Sequence, residues 1–220
     1  SRGNALPLDD DEPRRVAEAA QKLGLKCVVI TSVTRDDIPD GGANHFAKTI
    51  REVRKLLPDA KVEVLTPDFG GNENALRVVL DEKPDVFNHN VETIPRLYPL
   101  VRREADFERS LSVLRYAAEN SDAIVKSGFM VGLGERKEEV FDLLRRLKDA
   151  GVDVVTIGQY LQPSPAHIPV DRFVHPEEFD EYASYGRDVL SLKKIFAGPL
   201  VRSSFMASDV WEDVEERENR

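Results

Sequence analysis

Asn90 and Glu92 stand two residues apart just past the apolar pair Val86-Phe87. An amide and a carboxylate so placed offer hydrogen-bond partners to a sugar diol and a counter-charge to an ammonium group. An Asx turn beside a solvated glutamate is the plainer role for the same pair. Lys126 follows Ile124-Val125 and puts a cation at the end of a second apolar run. There it can pair with a carboxylate, act as an amine nucleophile, or carry its charge to solvent on a long stem. Thr31 and Gln159 close two further runs with a hydroxyl and an amide. Gly128, Gly132 and Gly134 lie close together, where glycine either lets backbone approach a ligand or simply turns the chain. His89 and His167 have no second histidine or carboxylate at ligand spacing, so both are expected in structural roles. The single cysteine, Cys27, sits inside an apolar run and is expected as a buried strand residue. One cysteine excludes an internal disulfide and an all-cysteine metal site built from these residues.

The elements that must position these side chains alternate. β-Branched runs at 27–31, 62–66, 86–90, 124–128 and 154–158 predict strands, with a short sixth near Ile195. Helical spacing predicts helices at 14–23, with Val16, Ala19, Ala20 and Leu23 on one stripe, and at 45–57, with Phe46, Ile50, Val53 and Leu57. The pattern continues at 74–80, 107–118 and 138–148. Gly24 and Gly151 stand just past helices, where a left-handed residue is needed. Such alternation predicts parallel strands joined by right-handed crossovers, an α/β fold. Thr31-Ser32, Thr66, Asn88-His89-Asn90, Lys126-Ser127 and Gln159-Tyr160 put polar groups at five successive strand ends. That favours a barrel, whose strands deliver their ends to one shared face, over an open doubly wound sheet. Too few strands are present for a complete barrel of ~250 residues, so the expectation is a partial, open one.

Composition narrows the function classes. With 220 residues, 41% of them hydrophobic, the chain can bury one sizeable core. A net charge of -9 argues against a nucleic-acid partner, whose phosphates require a basic face. No run approaches the roughly 18 apolar residues of a membrane span, and no basic-then-apolar leader opens the sequence, so no membrane partner is expected. Residues 1–208 are expected to form the barrel domain and 209–220 an acidic tail.

Several segments are more specific than the fold. They are Ile30-Thr31-Ser32-Val33-Thr34-Arg35-Asp36-Asp37 with Asp40-Gly41-Gly42-Ala43; Phe87-Asn88-His89-Asn90-Val91-Glu92-Thr93; Lys126-Ser127-Gly128-Phe129-Met130-Val131-Gly132-Leu133-Gly134-Glu135; Gly158-Gln159-Tyr160-Leu161-Gln162-Pro163-Ser164; and Gly198-Pro199-Leu200-Val201-Arg202-Ser203-Ser204. In this order, and with Arg2-Gly3-Asn4 and Leu8-Asp9-Asp10-Asp11-Glu12-Pro13 before them, the chain from about Arg2 to Ala207 resembles the lipoyl synthases of the radical S-adenosylmethionine superfamily.

The resemblance implies a partial (β/α)6-type TIM barrel whose first strand and cluster loop are missing. It implies insertion of two sulfur atoms at C6 and C8 of an octanoyl chain carried on a lipoyl-domain protein, an E2 subunit or H protein. It implies two [4Fe-4S] clusters, reducing and auxiliary, together with S-adenosylmethionine, and an electron donor such as ferredoxin or flavodoxin. Thiolates are the ordinary ligands of such clusters, and the cofactor carries the radical chemistry. The implied compartment is cytoplasmic, or a mitochondrial or plastid matrix.

Residue by residue, Asn90 and Glu92 resemble S-adenosylmethionine contacts and Lys126 a partner for its carboxylate. Gly128, Gly132 and Gly134 resemble the glycine-rich strand end beside the adenine, and Thr31 and Gln159 stand at the mouth. Ser204 resembles the serine ligand of the auxiliary cluster, with Ser203 as the alternative and Arg202 as its electrostatic neighbour; a turn or helix-cap serine is the plainer role. Phe205 and Met206 replace the family's usual tyrosine and polar residue. Both cysteine triads would precede Ser1, and Cys27 belongs to neither. The 220 residues as written are therefore expected not to cleave S-adenosylmethionine. Two other readings remain: a cluster-less protein that binds S-adenosylmethionine or a lipoyl domain, and a Schiff-base aldolase-type barrel built on Lys126.

Overall fold

The structure, a computed structural model, describes residues 6–204. Among these residues six strands form one sheet in the order β1 to β6: β1 Cys27–Thr31, β2 Lys61–Leu65, β3 Val86–Asn88, β4 Ile124–Val131, β5 Val154–Gln159 and β6 Lys194–Gly198. All neighbours are parallel. The strand order never reverses, so there is no switch point of a doubly wound sheet, and the chain is a partial α/β barrel.

Among the described residues seven α-helices serve this sheet: α1 Glu12–Lys22, α2 Ala43–Leu56, α3 Glu73–Leu80, α4 Tyr98–Val101, α5 Phe107–Asn120, α6 Lys137–Asp149 and α7 Pro176–Ser184. The register gives the two sheet faces different work. Val28, Ile30, Val62, Val64, Phe87, Val125, Phe129, Val155 and Ile157 are buried in one continuous core with α2, α3, α5 and α6. The opposite face carries the alternate residues. At its lower end Val86, Ile124 and Val154 form a separate small cluster against Phe196, and above them the face turns polar.

Two expectations need correction. The α1 stripe is rotated by about one position: Pro13, Ala17 and Ala20 are buried, while Val16 is 36% and Leu23 73% exposed. α1 packs on α2, and small side chains there let the two backbones approach where Val16 and Leu23 would hold them apart. β3 ends at Asn88, two residues short of the expected run, because the chain leaves the sheet to place Asn90 and Glu92. α4 and α7 were not legible as periodic segments. The sixth strand near Ile195 is present. The expected acidic tail, with Phe205 and Met206, lies outside the described residues. Among those residues no helix is long and apolar enough to cross a membrane.

Candidate active site

The polar face ends in a cleft of about 330 Å³ at the C-terminal ends of the strands. Asn90, Glu92, Gly128, Met130, Thr156, Gly158, Gln159, Arg202 and Ser203 supply most of its wall, with Leu65, Phe129, Leu161 and Val201.

Backbone alone forms much of the floor. A Cβ on Gly128 would collide with Thr156 Oγ1 and come within 3.0 Å of Asn90 Oδ1, and one on Gly158 would collide with the Val201 carbonyl. Strand ends of this kind bring main chain close to a ligand. Asn90 Oδ1 is buried and has no hydrogen-bond partner among the described residues. Standing at the cleft wall, such an atom can accept a hydrogen bond from a group bound there.

Glu92 stands beside it with a left-handed φ of +64° and is bridged to Phe129 of β4. Burial raises the pKa of its carboxyl above the ordinary value, against the opposing pull of the Arg102 charge and the Asn90 amide. Arg202 faces the same space, its Nη1 donating to the Val201 carbonyl at 2.7 Å. The cleft thus joins a carboxylate, a guanidinium, an unsatisfied amide oxygen and a flat backbone floor.

Of the residues singled out from sequence, Asn90, Glu92, Gly128, Gln159, Arg202 and Ser203 line this cleft. Gln159 has its polar groups engaged elsewhere. Its Nε2 donates to the carbonyls of Tyr160 and Arg172 at 3.0 and 3.1 Å, and its Oε1 accepts from Val174 N at 2.9 Å. It is a strut for the loop after β5 that shows one side to the cleft. Gly132 is not a lining residue: its N–H donates to Glu135 at 2.7 Å and its carbonyl accepts from Asp171 N at 2.9 Å.

Lys126 lies on the cleft's face of the sheet but beneath its floor. Its Nζ sits 3.0 and 3.1 Å from the two oxygens of Glu63, and both side chains are 0% exposed. Asn88 Nδ2 adds a bond to Glu63 at 2.9 Å. An ammonium held this way cannot reach a carbonyl substrate, so the Schiff-base reading has no open nucleophile. Thr31 is exposed at the end of the edge strand β1, paired in register with the lining residue Leu65 but not itself part of the lining, and Ser204 is exposed just beyond Ser203.

His89 Nδ1 donates to the Thr66 carbonyl at 2.9 Å, and burial lowers the ring's pKa. His167 Nδ1 meets Ser164 Oγ at 2.9 Å on the exposed loop after β5. Among the described residues no group of three or more His, Cys, Asp or Glu could hold a metal ion.

The sequence reading missed Thr156, Gly158 and Glu63. Their signal was faint: a threonine and a carboxylate each placed between two β-branched residues of an apolar strand, where a polar side chain needs a partner.

Comparison with known proteins settles the family. Residues 1–147 match the model of the Radical SAM superfamily. A lipoyl synthase from Caldanaerobacter subterraneus subsp. tengcongensis is 58% identical over 207 residues, covering 94% of this chain and 72% of that protein. The chain belongs to the lipoyl synthase family. A lipoyl synthase from Caldicellulosiruptor saccharolyticus is 52% identical over 209 residues, covering 94% of this chain and 73% of that one. HydG, a maturase of the [FeFe]-hydrogenase, shares the fold with a TM-score of 0.68 at 17% identity, over 89% of this chain and 46% of its own.

Lipoyl synthases are sulfur-inserting enzymes of the radical SAM class, with S-adenosylmethionine and a [4Fe-4S] cluster as cofactors and a lipoyl-domain protein as substrate. The cleft fits the first of these: an unpartnered Asn90 oxygen, the Glu92 carboxylate and a glycine floor suit an adenosyl amino acid. The residues present do not fit the second. Cys27 is the one cysteine in the sequence, and it begins β1 at the end of the sheet remote from the cleft.

Proposed function

We propose that this cleft is the S-adenosylmethionine site of a lipoyl synthase. Glu92 balances the ligand's ammonium group, and Asn90 and Thr156 hydrogen-bond its polar edges. The glycine floor of Gly128 and Gly158 admits its flat ring. The observation that carries this is the Asn90 oxygen, buried at the cleft with no partner among the described residues, beside a half-buried carboxylate.

The reaction served is insertion of sulfur at C6 and C8 of an octanoyl chain on a lipoyl-domain protein, an E2 subunit or H protein, with ferredoxin or flavodoxin as electron donor. S-adenosylmethionine held there would supply the radical chemistry that unactivated carbon requires. The chain's own residues bind and orient it and close the floor against water. A second, auxiliary cluster is part of the proposal, with Ser204 in one ligand position beside Arg202 and Ser203. Its thiolates, like those of the reducing cluster, are not among these 220 residues, and no step is assigned to them here.

Calorimetric titration with S-adenosylmethionine tests the site. Glu92→Gln is expected to weaken binding about tenfold or more, the loss that follows removal of one charged hydrogen-bond partner. Because burial raises its pKa, Glu92 takes up a proton at a higher pH than an ordinary carboxylate. Affinity should therefore fall on acidification earlier than for an exposed glutamate. Equal affinity for Glu92→Gln and wild type would remove the assignment.

A further inference from the structure

Non-glycine residues hold a left-handed φ only where their surroundings impose it, and Glu92, at +64°, is held from both sides. Toward β4, its N–H donates to the Gly128 carbonyl at 3.0 Å and its carbonyl accepts from Met130 N at 2.9 Å. On the other side the two residues before it are gripped by side chains from α4 and its end. Tyr98 OH donates to the Val91 carbonyl at 2.7 Å, and Arg102 Nη1 to the Asn90 carbonyl at 3.3 Å.

These grips are themselves fixed. The Tyr98 ring, 5% exposed, meets Phe107 of α5 edge-on at 5.3 Å between centroids and 90° between planes. The Arg102 guanidinium lies 5.7 Å over the Tyr98 ring. Neither residue lines the cleft. The consecutive carbonyls of Asn90, Val91 and Glu92 are therefore all tied down, two of them by side chains.

We infer that Tyr98 and Arg102 are positioning residues that lock Asn90-Val91-Glu92 in the conformation that presents the Glu92 carboxylate and the Asn90 amide to the adenosyl ligand. The inference rests on the cleft being the S-adenosylmethionine site. Arg102 also acts at a distance, since its charge opposes the effect of burial on Glu92. A merely structural role, holding α4 on α5, would run through the Tyr98 ring and leave the hydroxyl and the guanidinium dispensable.

The experiment compares wild type with Tyr98→Phe, Arg102→Met, Arg102→Lys and Glu92→Gln. Tyr98→Phe keeps the ring on Phe107 and removes only the hydroxyl. Two readouts need no ligand: amide exchange at Met130, which reports the Glu92 bridge, and carboxyl carbon-13 titration of Glu92. The third is the dissociation constant for S-adenosylmethionine.

Tyr98→Phe is expected to speed Met130 exchange and weaken binding at least about fivefold, the effect of one lost hydrogen bond. Arg102→Met should raise the Glu92 midpoint further and weaken binding, and Arg102→Lys should restore the midpoint by keeping the charge. Unchanged Met130 exchange in Tyr98→Phe together with an unchanged Glu92 midpoint in Arg102→Met overturns the inference, whatever the ligand does. Wild-type affinity in Tyr98→Phe and Arg102→Met, beside weakened binding in Glu92→Gln, overturns it while leaving the site assignment standing. Wild-type affinity in Glu92→Gln removes the site assignment and the inference with it.

Discussion

Glu63 and Lys126 face each other on β2 and β4 with neither side chain exposed. Taking both charges out of water costs several kcal/mol per ion, and their attraction offsets this only while each has the other. Asn88 completes the contact on Glu63, yet its own Oδ1 is buried without a partner among the described residues. The group is therefore finely balanced. Glu63→Gln or Lys126→Met alone is expected to cost about 3–5 kcal/mol, because each strands a buried charge or its polar partner. The double variant Glu63→Gln/Lys126→Met should recover much of that loss, giving a coupling energy well above the roughly 0.5 kcal/mol of independent sites. Urea unfolding of the four proteins measures it. Losses that simply add would show that the pair is not a unit.

Between elements, the loop after β5 is secured to α7 by Arg172 and Glu178. Two parallel bonds join them at 2.8 and 2.6 Å, and Tyr182 OH also donates to Glu178. The guanidinium beside it holds the Glu178 carboxyl down at about 2, and Arg96 does the same to Glu139 at the start of α6, also at about 2. A depressed carboxyl contributes stability that is complete above its unfolded value of 4.5 and is lost as pH falls toward 2. The melting temperature should therefore decline across that window. Glu178→Gln should lower it at neutral pH and flatten the decline. An unchanged slope in the variant would mean that the pair does not contribute.

This loop also shows how far the sequence could be read. The apolar runs marked the strands, and the five polar strand ends marked the face that carries the cleft. Gln159 was identified by its position at a strand end, but its role as a strut depends on the carbonyls of Arg172 and Tyr160, whose approach no local pattern records. Lys126 was equally visible, while the carboxylate that claims it lies 63 residues earlier in the chain. α4 is only four residues long, too short to show a period, so Tyr98 and Arg102 were invisible as a pair.

For the described residues, the main apolar core lies between the helices and one face of the sheet, while the other face carries a small apolar cluster at its lower end and polar groups and backbone above it. Stability should accordingly concentrate in the middle strands. β4 pairs on both sides and contributes Val125, Phe129 and Val131 to the core; β5 contributes Val155 and Ile157. β1 and β6 are the outer strands, with no further strand beside them among the described residues. Edge amides open by local fraying, whereas central ones exchange only when the domain unfolds. In native-state hydrogen exchange, amides of β4 and β5 are expected to report the global unfolding free energy, and those of Cys27–Thr31 a smaller one. Leu144→Ala in α6, at a position 0% exposed, should cost about 2–5 kcal/mol through lost contacts and the cavity left behind. That loss should appear in full at β4 and β5. It should leave β1 unchanged until the global value falls below the energy of its local opening. β1 amides as slow as those of β4 in wild type, or falling in step with them in Leu144→Ala, would show that the edge is covered and that the sheet opens only as a whole.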